Sequence, residues 1–144
     1  MDKYKIPLKN YKIIKGLIPQ DEPFVMVDSL IYFDNKRVIS GLTIKNNNIF
    51  LNNNILSESG LIENMAQTIA LYMGYKNINE IEPTIGFIGA IKNLIIYGLP
   101  KLDNVIITEI NILHDIMGVV LVNGITKNNN KIIMEAEFKT ALKK

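Results

Sequence analysis

The chain has 144 residues, 48% of them apolar and 21% charged, with a net charge of +2. At this length it is expected to form one domain, residues 1–144, with enough apolar content for a full core. A mean hydropathy of +0.15 excludes global disorder. The absence of Cys excludes disulfides, thiolate catalysis and Cys-based metal sites, and a single His, His114, excludes a multi-His metal site within one chain.

No apolar run reaches the roughly 18–20 residues of a membrane span, so membrane insertion is not expected. The start, Met1 to Pro7, has no apolar signal core, so a cytoplasmic location is expected. Lysines are scattered among acids instead of forming a basic stripe with stacking aromatics, which argues against a nucleic-acid partner. The 26 Ile and 18 Asn suggest compositional drift, so the Asn runs at 46–48, 52–54 and 128–130 are read only as loops.

In chain order, Tyr11, Ile14 and Leu17-Ile18 recur at helical spacing, which predicts a short helix from Asn10 to about Gly16. Pro19 forbids its continuation. Residues 24–34 and 37–45 read as a strand pair around the turn Asp34-Asn35-Lys36. Residues 46–54 read as a polar loop. Leu61, Ile62, Met65, Ala66, Ile69, Ala70 and Met73 then form one stripe on a helix from about Ser59 to Gly74. Ser57 or Ser59 can cap it, Glu58 suits the positive end of its dipole, and Gly74 is its expected stop. Its small residues are expected to let a sheet approach closely. Four strands follow, at about 85–97, 103–113, 116–126 and 131–142, with a bulge expected at Leu113-His114-Asp115. One long helix among antiparallel strands defines an α+β domain: a curved antiparallel sheet of about six strands around the helix.

Three local patterns occur in order: Leu17 to Asp28, Ser59 to Gln67, and Gly86 to Leu94 with the turn Leu99 to Asp103. Together they resemble the β-hydroxyacyl-(acyl carrier protein) dehydratases of the hot-dog fold. Pro19, Pro23, Phe24 and Asp28 match that family's Leu-x-Pro-His-x-x-Pro-Phe-x-x-x-Asp segment. Gly60, Glu63, Met65, Ala66 and Gln67 match its helix start. Phe87, Gly89 and Lys92 match its Phe-x-Gly-x-x-Lys strand, and Pro100 and Asp103 its following turn. The likeness spans about residues 12–142.

The resemblance implies a His that removes the α-proton of an acyl thioester and a Glu that protonates the departing 3-hydroxyl. Gln20 stands where the family has that His. A glutamine amide has no proton to exchange near neutral pH, so it cannot serve as the base. Losing one positioned acid–base group typically costs on the order of 10²–10⁴ in rate. Glu63 carries over as the acid, facing the Pro19–Phe24 segment of a neighbouring chain across a two-fold contact. On its residues alone it reads rather as a capping or solvated carboxylate. Gln67, one turn on, is placed to share a hydrogen bond with Glu63. The N–H groups of Gly60 and Leu61 are candidates to receive a thioester oxygen; the alternative is that Gly60 relieves crowding. Phe24, Val25, Met26 and the strand holding Phe87 and Gly89 are either tunnel lining or ordinary core. Asp21, Glu22 and His114 are the substitutes available for the absent base, and Asp28 reads as a buried anchor. Lys92, Lys101 and Lys127 are candidates to attract an acidic carrier.

No cofactor and no metal are implied. The expected substrate is a thioester of acyl carrier protein or CoA, in fatty-acid or polyene-type lipid synthesis. The expected assembly is a homodimer with sheets paired edge to edge or a higher oligomer of such dimers, or a heteromer with a His-bearing homologue. Three functions remain open: a dehydratase with an unorthodox second group, a non-catalytic acyl-binding accessory subunit, and an acyl thioesterase. Fold likeness alone does not separate them.

Overall fold

A computed structural model describes residues 4–79 and 85–143. Among these residues two helices and eight strands follow in chain order. Helix α1 is Tyr11–Gly16, strand β1 Ser29–Phe33 and strand β2 Arg37–Thr43. A small hairpin, β3 (Leu51–Asn52) and β4 (Ile55–Leu56), precedes the long helix α2, Glu58–Lys76. Strands β5 (Ile85–Ile96), β6 (Val105–Ile116), β7 (Val119–Asn128) and β8 (Lys131–Lys143) complete the chain. Six strands form one antiparallel sheet in the order β1-β2-β6-β7-β8-β5. It packs around α2, the hot-dog arrangement that the sequence motifs imply.

Alternation places Ile106 and Ile110 of β6, Val120 and Val122 of β7, and Ala136 and Phe138 of β8 on the helix side, all buried. Leu61, Met65, Ile69 and Met73 of α2 meet them. The helix packs closely on the sheet at Gly124, where an added Cβ would lie 2.5 Å from the Met65 sulfur.

Polar residues share this interior. Ser40, Thr108 and Thr126 lie opposite one another on β2, β6 and β7. The Thr108 hydroxyl donates to Asn64 Oδ1 at 2.6 Å and lies 2.8 Å from that of Thr126. The Thr68 hydroxyl donates to the Asn64 carbonyl at 2.8 Å and lies 2.6 Å from that of Ser40. Each hydroxyl has one proton, so Thr126 donates to Thr108 and Ser40 to Thr68. The network fixes where along the sheet the helix sits.

Several boundaries differ from the sequence reading. The expected strand 24–34 is regular only over Ser29–Phe33. In the segment before it, the Met26 N–H and the Phe24 carbonyl bond to the side chain of Gln67 instead of a neighbouring strand. The 46–54 loop contains β3 and turns through Asn53 and Asn54, with φ of 52° and 63°. Gly74 does not stop α2, which runs on to Lys76. A Cβ at Gly74 would collide with the Leu17 carbonyl oxygen, so the glycine admits the end of α1. Ser57 is the cap of α2, accepting from the Gly60 N–H at 3.3 Å. The bulge around Leu113 is present, between Ile112 and His114.

Candidate functional site

Helix α1 is capped by Asn10, buries Ile14 and ends at Gly16. The chain then runs through Pro19 and Gln20 alongside the middle of α2. There a cleft of about 240 Å³ opens between α2 and the edge strand β5. Pro19, Gln20 and Glu63 are among its lining residues. Ala66, Ile69, Ala70 and Met73 form the helix wall, and Gly86, Phe87, Ile88 and Thr140 the sheet wall. The short side chains of Ala66 and Ala70 leave room here for a cavity, where the sequence reading expected a close sheet approach.

Glu63 projects from the first turns of α2. The Gln67 amide donates to Glu63 Oε1 at 2.8 Å, the bond expected from their spacing. The same amide group donates to the Phe24 carbonyl at 2.7 Å, and its oxygen accepts from the Met26 N–H at 2.6 Å. Gln67 therefore uses both protons and its oxygen, and it is fully buried. It ties the 24–26 segment to the helix and fixes one Glu63 oxygen. Asn64 adds a second tie to the Met26 carbonyl, at 2.7 Å.

Gln20 presents a contrasting feature. Its amide oxygen is buried and has no hydrogen-bond partner among the described residues. Thr140 also reaches the cleft, but its hydroxyl proton goes to the Val120 carbonyl at 3.2 Å. Among the described residues lining the cleft, Glu63 is the one titratable side chain.

The sequence reading set Glu63 against the Pro19–Phe24 segment of a neighbouring chain. In the structure, Pro19 and Gln20 of the same chain share the cleft with it. Phe87 lines the cleft; Gly89 does not and sits at a β5 irregularity between Ile88 and Ala90. The Phe24 ring is 53% exposed and lies outside the cleft, and that residue contributes its carbonyl to Gln67. The Gly60 and Leu61 N–H groups are not free, because both donate to Ser57. A Cβ at Gly60 would lie 2.8 Å from that of Phe50, so this glycine relieves crowding. Leu61 is core. Asp21 is exposed, paired with Lys15 at 2.9 Å, and its carboxyl is held below the usual range chiefly by that lysine. Glu22 and His114 are exposed and absent from the cleft lining. Lys92, Lys101 and Lys127 are likewise exposed. Among the described residues no cluster of three or more metal-ligating side chains occurs, and no helix is long and apolar enough to cross a membrane.

A larger hollow, about 700 Å³, lies on the outer face of the sheet around Ile39, Ile107 and Ile125. Of the motif residues only Asp103 reaches it. The smaller cleft holds Gln20 and Glu63 and is the candidate site.

The fold is that of a hot-dog protein. A profile of the ApeP-like family, described as ApeP dehydratase, matches residues 12–140, and the chain belongs to that family. No curated protein sequence matches it significantly. Among solved structures, the dehydratase heterocomplex ApeI:P from Xenorhabdus doucetiae superposes with a TM-score of 0.85 at 17% identity, over 98% of this chain and 93% of that one. A hypothetical thioesterase with coenzyme A from Streptococcus pneumoniae gives 0.65 at 14%, over 79% and 84%. The PaaI protein from the phenylacetic acid degradation operon of E. coli gives 0.64 at 10%, over 78% and 80%. At these identities the likeness shows the fold.

Proposed function

We propose that this chain is a dehydratase-like subunit that binds 3-hydroxyacyl thioesters in the Gln20–Glu63 cleft and depends on a His-bearing homologue for turnover. The observation that carries this is that, among the described residues, Glu63 is the one titratable side chain lining the cleft. Dehydration removes a weakly acidic α-proton and protonates a poor leaving group. A carboxyl group suits the second task. The first needs a base, and Gln20 is not one. The substrate would be carried by acyl carrier protein or CoA, with its acyl chain against Ala66, Ala70 and Phe87.

Two features support an assembly. Among the described residues, edge strand β5 pairs only with β8, leaving its other edge unpaired. It also exposes Phe87, Ile91, Leu94 and Ile95, each at least 37% accessible. An open apolar edge invites pairing with another strand. Phe87 and Ile88 belong to the cleft wall as well, so a partner seated on β5 would close the cleft from outside. A heterocomplex among the similar folds is consistent with a heteromer; a homodimer would use the same edge.

The test is an assay of the purified protein with a carrier-bound 3-hydroxyacyl substrate. Alone it should form no enoyl product, and adding a His-bearing homologue that co-purifies with it should restore turnover. Enoyl product from the protein alone, abolished by Glu63→Gln, would assign it a dehydratase activity of its own. A second reading, thioesterase, draws on the thioesterase-like folds and on Glu63 as a group able to activate water. Release of free thiol from an acyl-CoA would select it.

A further inference from the structure

The outer face of the sheet carries an apolar patch at each end of the β6–β7 hairpin. At one end is the hollow of about 700 Å³ around Ile39, Ile107 and Ile125. At the other is the hairpin tip, where Ile116 is 62% and Met117 96% exposed, with Val119 beside them. The tip is costly as it stands. Met117 opens a two-residue turn and has a φ of 55°. Two other such turns of the chain use Asn-Asn, at Asn53-Asn54 and Asn129-Asn130, with first φ values of 52° and 53°. Asn tolerates this left-handed region better than Met and is at home in water. A methionine that suits neither the turn nor the solvent suits a contact.

The register relates the two ends. Ile112, Val122 and Phe138 form one row across β6, β7 and β8. One step to one side of that row stands Glu137, with Ile125 two steps further along β7; one step to the other side stands Lys139, with Val119 placed likewise. Ala136, Phe138 and Thr140 are buried, so Glu137 and Lys139 between them point outward. Neither has an ion pair among the described residues. We infer that this face receives a second copy of the chain, turned by a two-fold axis that lies across the strands over the Ile112–Phe138 row. That operation sets Val119 and Ile116 over the second copy's Ile125, brings the Met117 tip to its hollow, and lays Lys139 against its Glu137, each contact occurring twice. The face complements itself in shape and in charge. Glu109, Lys127, Glu137 and Lys139 interleave the two signs, which suits a copy of the same face better than an acidic carrier or an anionic surface. Strand β6 has 12 residues, so β2, β6, β7 and β8 together offer about 40 Å by 20 Å, close to the ~800 Å² per partner of a stable interface.

The experiment is sedimentation velocity of the full-length protein at tens of micromolar, repeated on charge and tip variants, with circular dichroism reading the fold of each. The wild type is expected to self-associate. Lys139→Glu and Glu137→Lys each set like charges opposite and should weaken that association about ten-fold or more. The double exchange Glu137→Lys/Lys139→Glu restores opposite signs and should recover it. Met117→Asn keeps a residue that the chain already uses in such turns and should also weaken association. A wild type that remains a single chain would overturn the inference. So would association unmoved by either single reversal, or a folded double exchange no better than the singles. Loss in the β8 variants with none in Met117→Asn would place the contact toward β5 and overturn the two-fold face. Pairing through the β5 edge alone survives all of these variants, so the outcome leaves the function proposed above untouched.

Discussion

Gln67 donates its amide to Glu63 Oε1 at 2.8 Å, one helical turn away. The same side chain accepts from the Met26 N–H and donates to the Phe24 carbonyl. One residue therefore orients the carboxyl group and anchors the segment that follows Gln20. Gln67→Leu strands a buried N–H and a carbonyl, each worth about 1–3 kcal/mol when unmet. Denaturant unfolding is expected to show a loss of about 2–4 kcal/mol. An unchanged midpoint would mean that the clamp does not hold in solution.

Two helical glycines are expected to respond to alanine with opposite signs. Gly74 faces the Leu17 carbonyl, leaving no space for a methyl group, whereas a Cβ at Gly16 meets nothing within 4 Å. Alanine is favoured over glycine by about 1 kcal/mol in a helix. Gly16→Ala should therefore stabilise by about 0.5–1 kcal/mol, and Gly74→Ala should destabilise by about 2 kcal/mol or more as α1 is forced away. Thermal melting of the two variants side by side reads both signs.

The hydroxyl network has a direction, and its energetics should follow it. Thr108 stands in the middle, donating to Asn64 and accepting from Thr126. Thr108→Val leaves Asn64 Oδ1 and the Thr126 proton unmet, and is expected to cost about 1–3 kcal/mol. Ser40 stands at an end, donating to Thr68. Ser40→Ala removes that proton but leaves the Thr68 proton on the Asn64 carbonyl, and should cost about 1 kcal/mol or less. Equilibrium unfolding showing the reverse order would contradict the assigned directions.

Asp28 sets a pH dependence. Its carboxylate accepts from the Thr43 N–H at 2.8 Å. Burial pushes its carboxyl above the ordinary 3.8, outweighing the Thr43 bond and the nearby lysines. A raised folded value means that Asp28 contributes stability most fully below its ordinary pKa. That contribution is lost as pH rises through the folded value. Asp28→Asn keeps an acceptor for Thr43 and removes the buried charge. Urea titrations upward from pH 4 should show the variant gaining on the wild type until the Asp28 carboxyl is fully ionised. A variant that falls behind as pH rises would contradict the direction of the shift.

The order of elements was legible from periodicity and turn residues, and so was the Glu63–Gln67 bond from their four-residue spacing. Asn64, Gln67 and Thr68 were not legible as interior residues. A helix enclosed by its own sheet has no wet face to contrast with a dry one, and the apolar stripe marks only part of its buried surface. The 24–28 segment misleads for a related reason: its apolar residues look like a strand, while Phe24 and Met26 bond to a helix side chain. Gly74 looks like a stop because glycine often follows a helix, and only the passage of Leu17 reveals its packing role. The sharing of one cleft by Gln20 and Glu63 of the same chain was not readable from the motifs, which give order but not the path of the loop. Ala66 and Ala70 carried a signal, small side chains on one face, but it fits a close approach as well as a cavity.

The most direct test of the central claim replaces the amide by a base. Conversion of a carrier-bound 3-hydroxyacyl thioester to its enoyl form is measured for the purified wild type and for Gln20→His, each alone. The expected outcome is no turnover by the wild type and turnover by the variant, raised by on the order of 10² or more above background. Turnover by the wild type alone, undiminished in Gln20→Leu, would contradict the account.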